Sequence, residues 1–194
     1  MKIYLIRHGE TTGDVEDRYG GDYDDHLTSK GKDQAKKLAE KIKDFGIERI
    51  FTSPRIRAKE TSEILKDKLG VEVQLLEDIR ERNHYGVLTG MVKSEAKRKY
   101  PKLAKMVDDY RNTVEGGEDY ESFQKRVKKA LEQVYKSELN TVAIVTHGGP
   151  VRMIFREILG YEKIWVDDCA YAVLEYKGGK LDLKDVDGIE VKKE

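Results

Sequence analysis

Apolar residues in this chain fall into short runs separated by stretches of helical spacing. Residues 3–6 (Ile, Tyr, Leu, Ile) form a run short enough to read as a buried strand, and 48–52, 71–75 and 141–145 read the same way. Ala35, Leu38, Ala39 and Ile42 recur at helical spacing in a segment opening at Thr28, and Gly46 sits where a C-terminal cap belongs. A second helix is expected from Ser53 and Pro54, serine as N-cap and proline at the first helical position, through Ala58, Thr61 and Leu65 to Gly70. After Gly116 and Gly117 comes a long helix with Phe123, Val127, Ala130, Leu131 and Val134 on one face, and another helix carries Val151, Ile154, Phe155 and Ile158. Residues 9–27 lack periodicity and read as a loop, and 77–92 are irregular. The strongly charged stretch 93–113 reads as helix interrupted at Pro101. Residues 170–176 and 181–186, joined through Lys177-Gly178-Gly179-Lys180, read as a hairpin.

Strands alternating with helices predict an α/β fold: a three-layer sandwich whose mostly parallel central sheet is flanked by helices, with the C-terminal β-hairpin at one edge. A chain of 194 residues fits one domain over 1–194, with 77–115 as a lid-like insertion across the site.

Composition narrows the function classes. Lysine plus arginine balance aspartate plus glutamate, so no bulk positive charge recommends a nucleic-acid partner. No apolar run approaches the roughly 18 residues of a membrane span, and the first six residues are too short for a signal peptide, which favours the cytoplasm. The single cysteine, Cys169, excludes an internal disulfide framework and suits a reducing compartment, where it is expected to be buried and inert. The many charged residues and few amides resemble a thermophile composition but do not bear on chemistry.

Open α/β sheets bind ligands at the carboxyl ends of their strands. There the sequence places Arg7 and His8 after the first strand, Arg57 in the first turn after the second, and His147 after the strand at 141–145. A neutral imidazole is a nucleophile that can form a covalent phosphohistidine. Two guanidiniums, with His147 as a third cation if protonated, would hold the equatorial oxygens of a transferring phosphoryl group. The helix starting near Pro150 would aim its positive end at the same place. A leaving alkoxide also needs a proton, and Glu81, in the irregular segment after the third strand, is the candidate general acid if its pKa is raised.

Arg7-His8-Gly9-Glu10-Thr11 resembles the signature of the histidine phosphatase superfamily, the phosphoglycerate-mutase-like enzymes. Leu27-Thr28-Ser29-Lys30-Gly31 with Gln34-Ala35, then Ser53-Pro54 with Arg57-Ala58 and Thr61, then Thr146-His147-Gly148-Gly149, resemble further family segments in the family's order. The resemblance implies His8 as the phosphorylated residue, Glu81 as proton donor, and Arg7, Arg57, His147 and Gly148 around the phosphate. It implies no metal and no cofactor. Thr11, Asp14, Gly21, Tyr85 and Lys93 are a further, separate set of candidate substrate contacts.

Three departures stand out. Asp14 occupies a position where the family commonly has asparagine, and its carboxylate would repel phosphate unless protonated or paired. His26 replaces a proline, which affects loop stiffness. The segment from Glu81 to Gly86 is one residue longer than usual, leaving His84 or a nearby carboxylate as a rival donor.

Taken singly, these residues have plainer readings. A histidine after a strand is more often structural than catalytic, Arg57 alone would be a solvated helix residue, and Glu81 could be an ion-pair partner. The basic run Lys97, Arg98, Lys99 is usually a solvated face, though it could draw anions toward the site. No HxH or HExxH spacing supports a metal hydrolase. Within the resemblance, the segment Tyr85–Gly90 with Lys93 is mutase-like. Thr146-His147-Gly148-Gly149 and the lack of a paired-arginine segment are phosphatase-like. The expected function is therefore a phosphomonoesterase acting on small phosphorylated metabolites, with a cofactor-dependent mutase as alternative and a non-catalytic phosphate-binding regulator behind it. A homodimer is compatible with the sequence.

Overall fold

A computed structural model describes residues 1–192; residues 193–194 of the expected 1–194 domain lie outside the described residues. Six strands form one sheet in the order β3-β2-β4-β1-β5-β6. β1 (Lys2–Arg7), β2 (Arg49–Thr52), β3 (Glu72–Leu75) and β4 (Thr141–Thr146) run parallel, while β5 (Lys163–Lys177) and β6 (Lys180–Lys192) form the antiparallel hairpin at one edge.

The period-two rule for strand side chains sorts the core into two layers. Ile3 and Leu5 of β1, with Val142 and Ile144 of β4, pack under α6 (Tyr120–Tyr135) and α7 (Gly148–Glu157). Their neighbours Tyr4, Ile6, Ala143 and Val145 face the other way, onto α2 (Ser29–Ile42) and α3 (Ile56–Leu69). Both faces of β1 and β4 are therefore dry. That is why they read as continuous apolar runs rather than alternating ones.

Several boundaries differ from expectation for identifiable reasons. The stretch 9–27 contains one helical turn, α1 (Thr12–Val15), because Thr11 and Asp14 form a reciprocal capping box that no apolar periodicity announces. α2 ends at Ile42, and Gly46, at φ 71°, turns the chain three residues beyond the cap at Lys43. Ser53 is not an N-cap: α3 begins at Ile56 after Arg55, and the Ser53 hydroxyl is taken by His147. The hairpin strands run well beyond 170–176 and 181–186, their alternating charges having hidden them. The charged stretch becomes two short helices, α4 (Lys93–Lys99) and α5 (Pro101–Met106), and irregular chain follows.

Residues 77–119 carry a third, smaller core in which Leu88, Ala96, Val107 and Val114 pack with Tyr19. Polar anchors tie this segment down. The buried Arg82 guanidinium donates to the carbonyls of Tyr110 and Glu118 and to the Thr113 hydroxyl. Arg126 of α6 donates to the carbonyls of Asp78, Arg80 and Glu81 and pairs with the Glu118 carboxylate. No described helix is long and apolar enough to cross a membrane.

Candidate active site

The parallel strands β1 and β4 lie in register, Arg7 opposite Thr146, so the residues that follow them emerge side by side. His8 is tied there by its N–H to the Thr146 carbonyl, 3.0 Å. The His8 and His147 rings meet edge to face with centroids 5.0 Å apart. Both imidazoles are buried, as is Arg57.

Hydrogen bonds fix the tautomers. His8 Nδ1 lies 2.8 Å from the Gly9 carbonyl oxygen, which can only accept, so Nδ1 carries the proton and Nε2 is bare. Arg57 Nε donates to that Nε2 at 3.1 Å and to His147 Nδ1 at 3.2 Å. His147 is thereby a bare-Nδ1 imidazole whose Nε2–H donates to Ser53 Oγ at 2.7 Å. Burial first, then the Arg57 charge, holds both histidines well below their ordinary pKa. Both shifts favour the neutral imidazole, so the condition on which His147 was to act as a third cation is disfavoured here.

The rest of the Arg57 fork is occupied by the loop before α2. One terminal nitrogen donates to the Tyr23 carbonyl (2.6 Å) and to Asp25 (2.9 Å), the other to the Gly21 carbonyl (3.1 Å). Arg7 lies 3.0 Å from Asp168 and 3.5 Å from Asp14, so the unexpected carboxylate at position 14 is paired. Asp14 also accepts from the Thr11 N–H and hydroxyl.

Glu81 reaches the same place despite the extra residue in its segment. Thr146 Oγ1 donates to the Ile79 carbonyl at 2.6 Å, and Arg126 holds the carbonyls around it. The carboxylate then accepts from the N–H groups of Gly149 (3.0 Å) and Arg82 (2.8 Å). A Cβ at position 149 would push the Glu81 carboxylate out of this place.

Arg7, His8, Arg57, Glu81 and Gly148 line an inner cavity of about 140 Å³, with Thr11, Asp14 and Gly21 also on its wall, while His147 stands behind it against His8 and Arg57. Beside it an outer chamber of about 350 Å³ is walled by Tyr85, Tyr110, Tyr120 and Phe123 and shares Gly21, Glu81 and Arg152 with the inner one. Lys93 lines neither cavity and is paired with Asp17. His84 faces the outer chamber, its ring against Tyr85 at 3.9 Å, its buried Nδ1 without a protein partner, and its pKa lowered by burial and then by Arg82. His26 is an exposed partner of Glu60. Cys169 is only half-buried, and burial pushes its thiol up to about 12.

Sequence reasoning missed Arg152, Asp25 and Asp168. Arg152 could have been found, since it lies one helical turn after Gly148 and hence on the same face of α7. Asp25 sits in irregular chain and Asp168 at the register break within β5, and at neither place does a period predict direction. Among the described residues, no group of three or more His, Cys, Asp or Glu could hold a metal ion.

The fold and this arrangement define a class: the chain belongs to the histidine phosphatase superfamily (branch 1), whose family description matches residues 3–187. It is 34% identical over 188 residues to phosphoserine phosphatase 1 of Hydrogenobacter thermophilus, covering 90% of this chain and 86% of that one. To the probable phosphoglycerate mutase GpmB of Enterobacter sp. it is 30% identical over 192 residues, covering 91% and 86%. Among solved structures, Bacillus stearothermophilus YhfR superposes with a TM-score of 0.86 at 26% identity, over 94% of both chains.

Proposed function

We propose that this protein is a phosphomonoesterase that hydrolyses small phosphorylated metabolites through a phosphohistidine on His8. The observation that carries the reading is the bare Nε2 of His8, its other nitrogen bonded to Gly9, in a cavity also lined by Arg57 and Glu81. In this reading Nε2 attacks phosphorus while Arg7, Arg57 and the N–H groups opening α7 take up charge on the equatorial oxygens. The bond from phosphorus to the ester oxygen breaks, and Glu81 gives that oxygen its proton. Water then attacks the phosphohistidine, Glu81 takes a proton from it, and inorganic phosphate leaves with His8 restored.

The inner cavity suits the phosphate and the outer chamber the leaving group, with residues 77–115 as the lid over both. Similarity to a phosphoserine phosphatase supports a small phosphomonoester substrate. Similarity to a probable mutase supports a second reading, in which the phosphoryl group passes to another hydroxyl rather than to water.

A panel of phosphorylated metabolites, assayed for phosphate release with chelator present, tests the first reading. Phosphate release together with acid-labile phosphate on the protein is the expected result. Fast interconversion of phosphoglycerates with little phosphate release would establish the mutase instead.

A further inference from the structure

We propose that Asp168, on the hairpin strand, is a positioning residue that sets the aim of the Arg7 guanidinium. β5 pairs with β1 from Tyr171 to Glu175, but its register against β6 breaks between Val166 and Tyr171. Within that break Cys169 adopts a left-handed conformation at φ 56°, unusual for a non-glycine residue, and its N–H donates to the His8 carbonyl at 3.1 Å. The bulge thus docks onto the backbone of the nucleophile itself.

Docking there brings two acceptors to Arg7. The Val166 carbonyl accepts from one terminal nitrogen at 2.7 Å, and an Asp168 oxygen lies 3.0 Å from the other. Asp14 is the weaker partner, at 3.5 Å and with a side chain 39% exposed against 19% for Asp168. With both ends of the planar fork held, the direction of the third donor is fixed as well. That donor, Nε, is buried and has no protein acceptor, and Arg7 lines the inner cavity. Freezing a charged donor before the ligand arrives removes an ordering cost from the binding step. A backbone strained into the left-handed region next to such a pair fits a bulge kept for this purpose. The role presumes that Arg7 holds phosphate, as the proposed function has it.

The test is a double-mutant cycle between Asp168→Asn and Arg7→Ala, read as kcat and KM for p-nitrophenyl phosphate and as calorimetric binding of inorganic phosphate. Asp168→Asn is expected to lower kcat/KM about 30-fold, chiefly in kcat, while in the Arg7→Ala background it changes kcat/KM by less than about threefold. Asp167→Asn, an exposed neighbour in the same bulge, is expected to leave both readouts unchanged. Wild-type rates in Asp168→Asn, equal losses in both backgrounds, or an equal loss in Asp167→Asn would overturn the proposal. Should Asp168→Asn fail to fold, Asp168→Glu serves in its place: it keeps the charge but moves it, and a wild-type rate there would also count against positioning. If the wild-type protein hydrolyses nothing, the phosphatase reading fails, and phosphate binding across the same cycle still decides the role of Asp168.

Discussion

The inner cavity and the outer chamber share a wall but are built in opposite ways. The inner one is made where strands end. His8 and His147 are placed by the register of β1 against β4, and each is held by bonds to chain tens of residues away. The outer one has α6 and α7 on one side, but its other wall is irregular chain held by two arginines whose donors reach mostly carbonyl oxygens. One region inherits its precision from the sheet. The other depends on a few side chains that act as splints, so changes in the two should fail differently.

The widest separation is expected from His8→Ala. It should cut turnover of phosphomonoesters at least about a thousandfold while leaving the urea midpoint close to wild type, because the sheet does not need the imidazole. Steady-state rates and urea curves on the same samples check it. Gly149→Ala should follow, with a loss of about a hundredfold in kcat as the new methyl displaces Glu81. Near-normal kcat would remove Glu81 from the reaction.

Arg82→Met should behave in the opposite sense, costing about 2 kcal/mol of stability by stranding the carbonyls it now satisfies. The loss should appear first as faster hydrogen exchange in residues 107–118, with the strands protected. Uniform loss of protection would mean that the two regions unfold as one.

The last effect is a slope that needs no substitution to appear. His8 and His147 have pKa values depressed below those of the unfolded chain, so unfolding takes up protons as pH falls below about 6.5. Stability present above that pH should therefore drain away on acidification, by up to about 1.4 kcal/mol per pH unit for each ring. Denaturation between pH 7 and 5 should show the slope, and His147→Asn should shrink it.

The same contrast decides what could be read without a structure. β1, β4 and the helices behind them are buried on both faces or along one stripe, so apolar spacing disclosed them, and the residues at the strand ends came with them. The irregular wall of the chamber was illegible because its shape depends on side-chain-to-carbonyl bonds, which obey no period. Glu81 was proposed from its place in the chain. Its lengthened segment still delivers it to the inner cavity, held by Arg126 from a helix that gave no sign of it. Asp14 looked like a repulsive charge in one dimension and is a paired one in three.

Asp25 has a consequence for what happens after the chemistry. Any site that attracts a phosphate ester also attracts the free phosphate it makes, and a catalyst with bare guanidiniums would be throttled by its own product. Asp25 sits 2.9 Å from Arg57, so in the proposed reaction that guanidinium would meet the anion already paired with a carboxylate. In that reaction the pairing would trim the attraction for ester and orthophosphate alike.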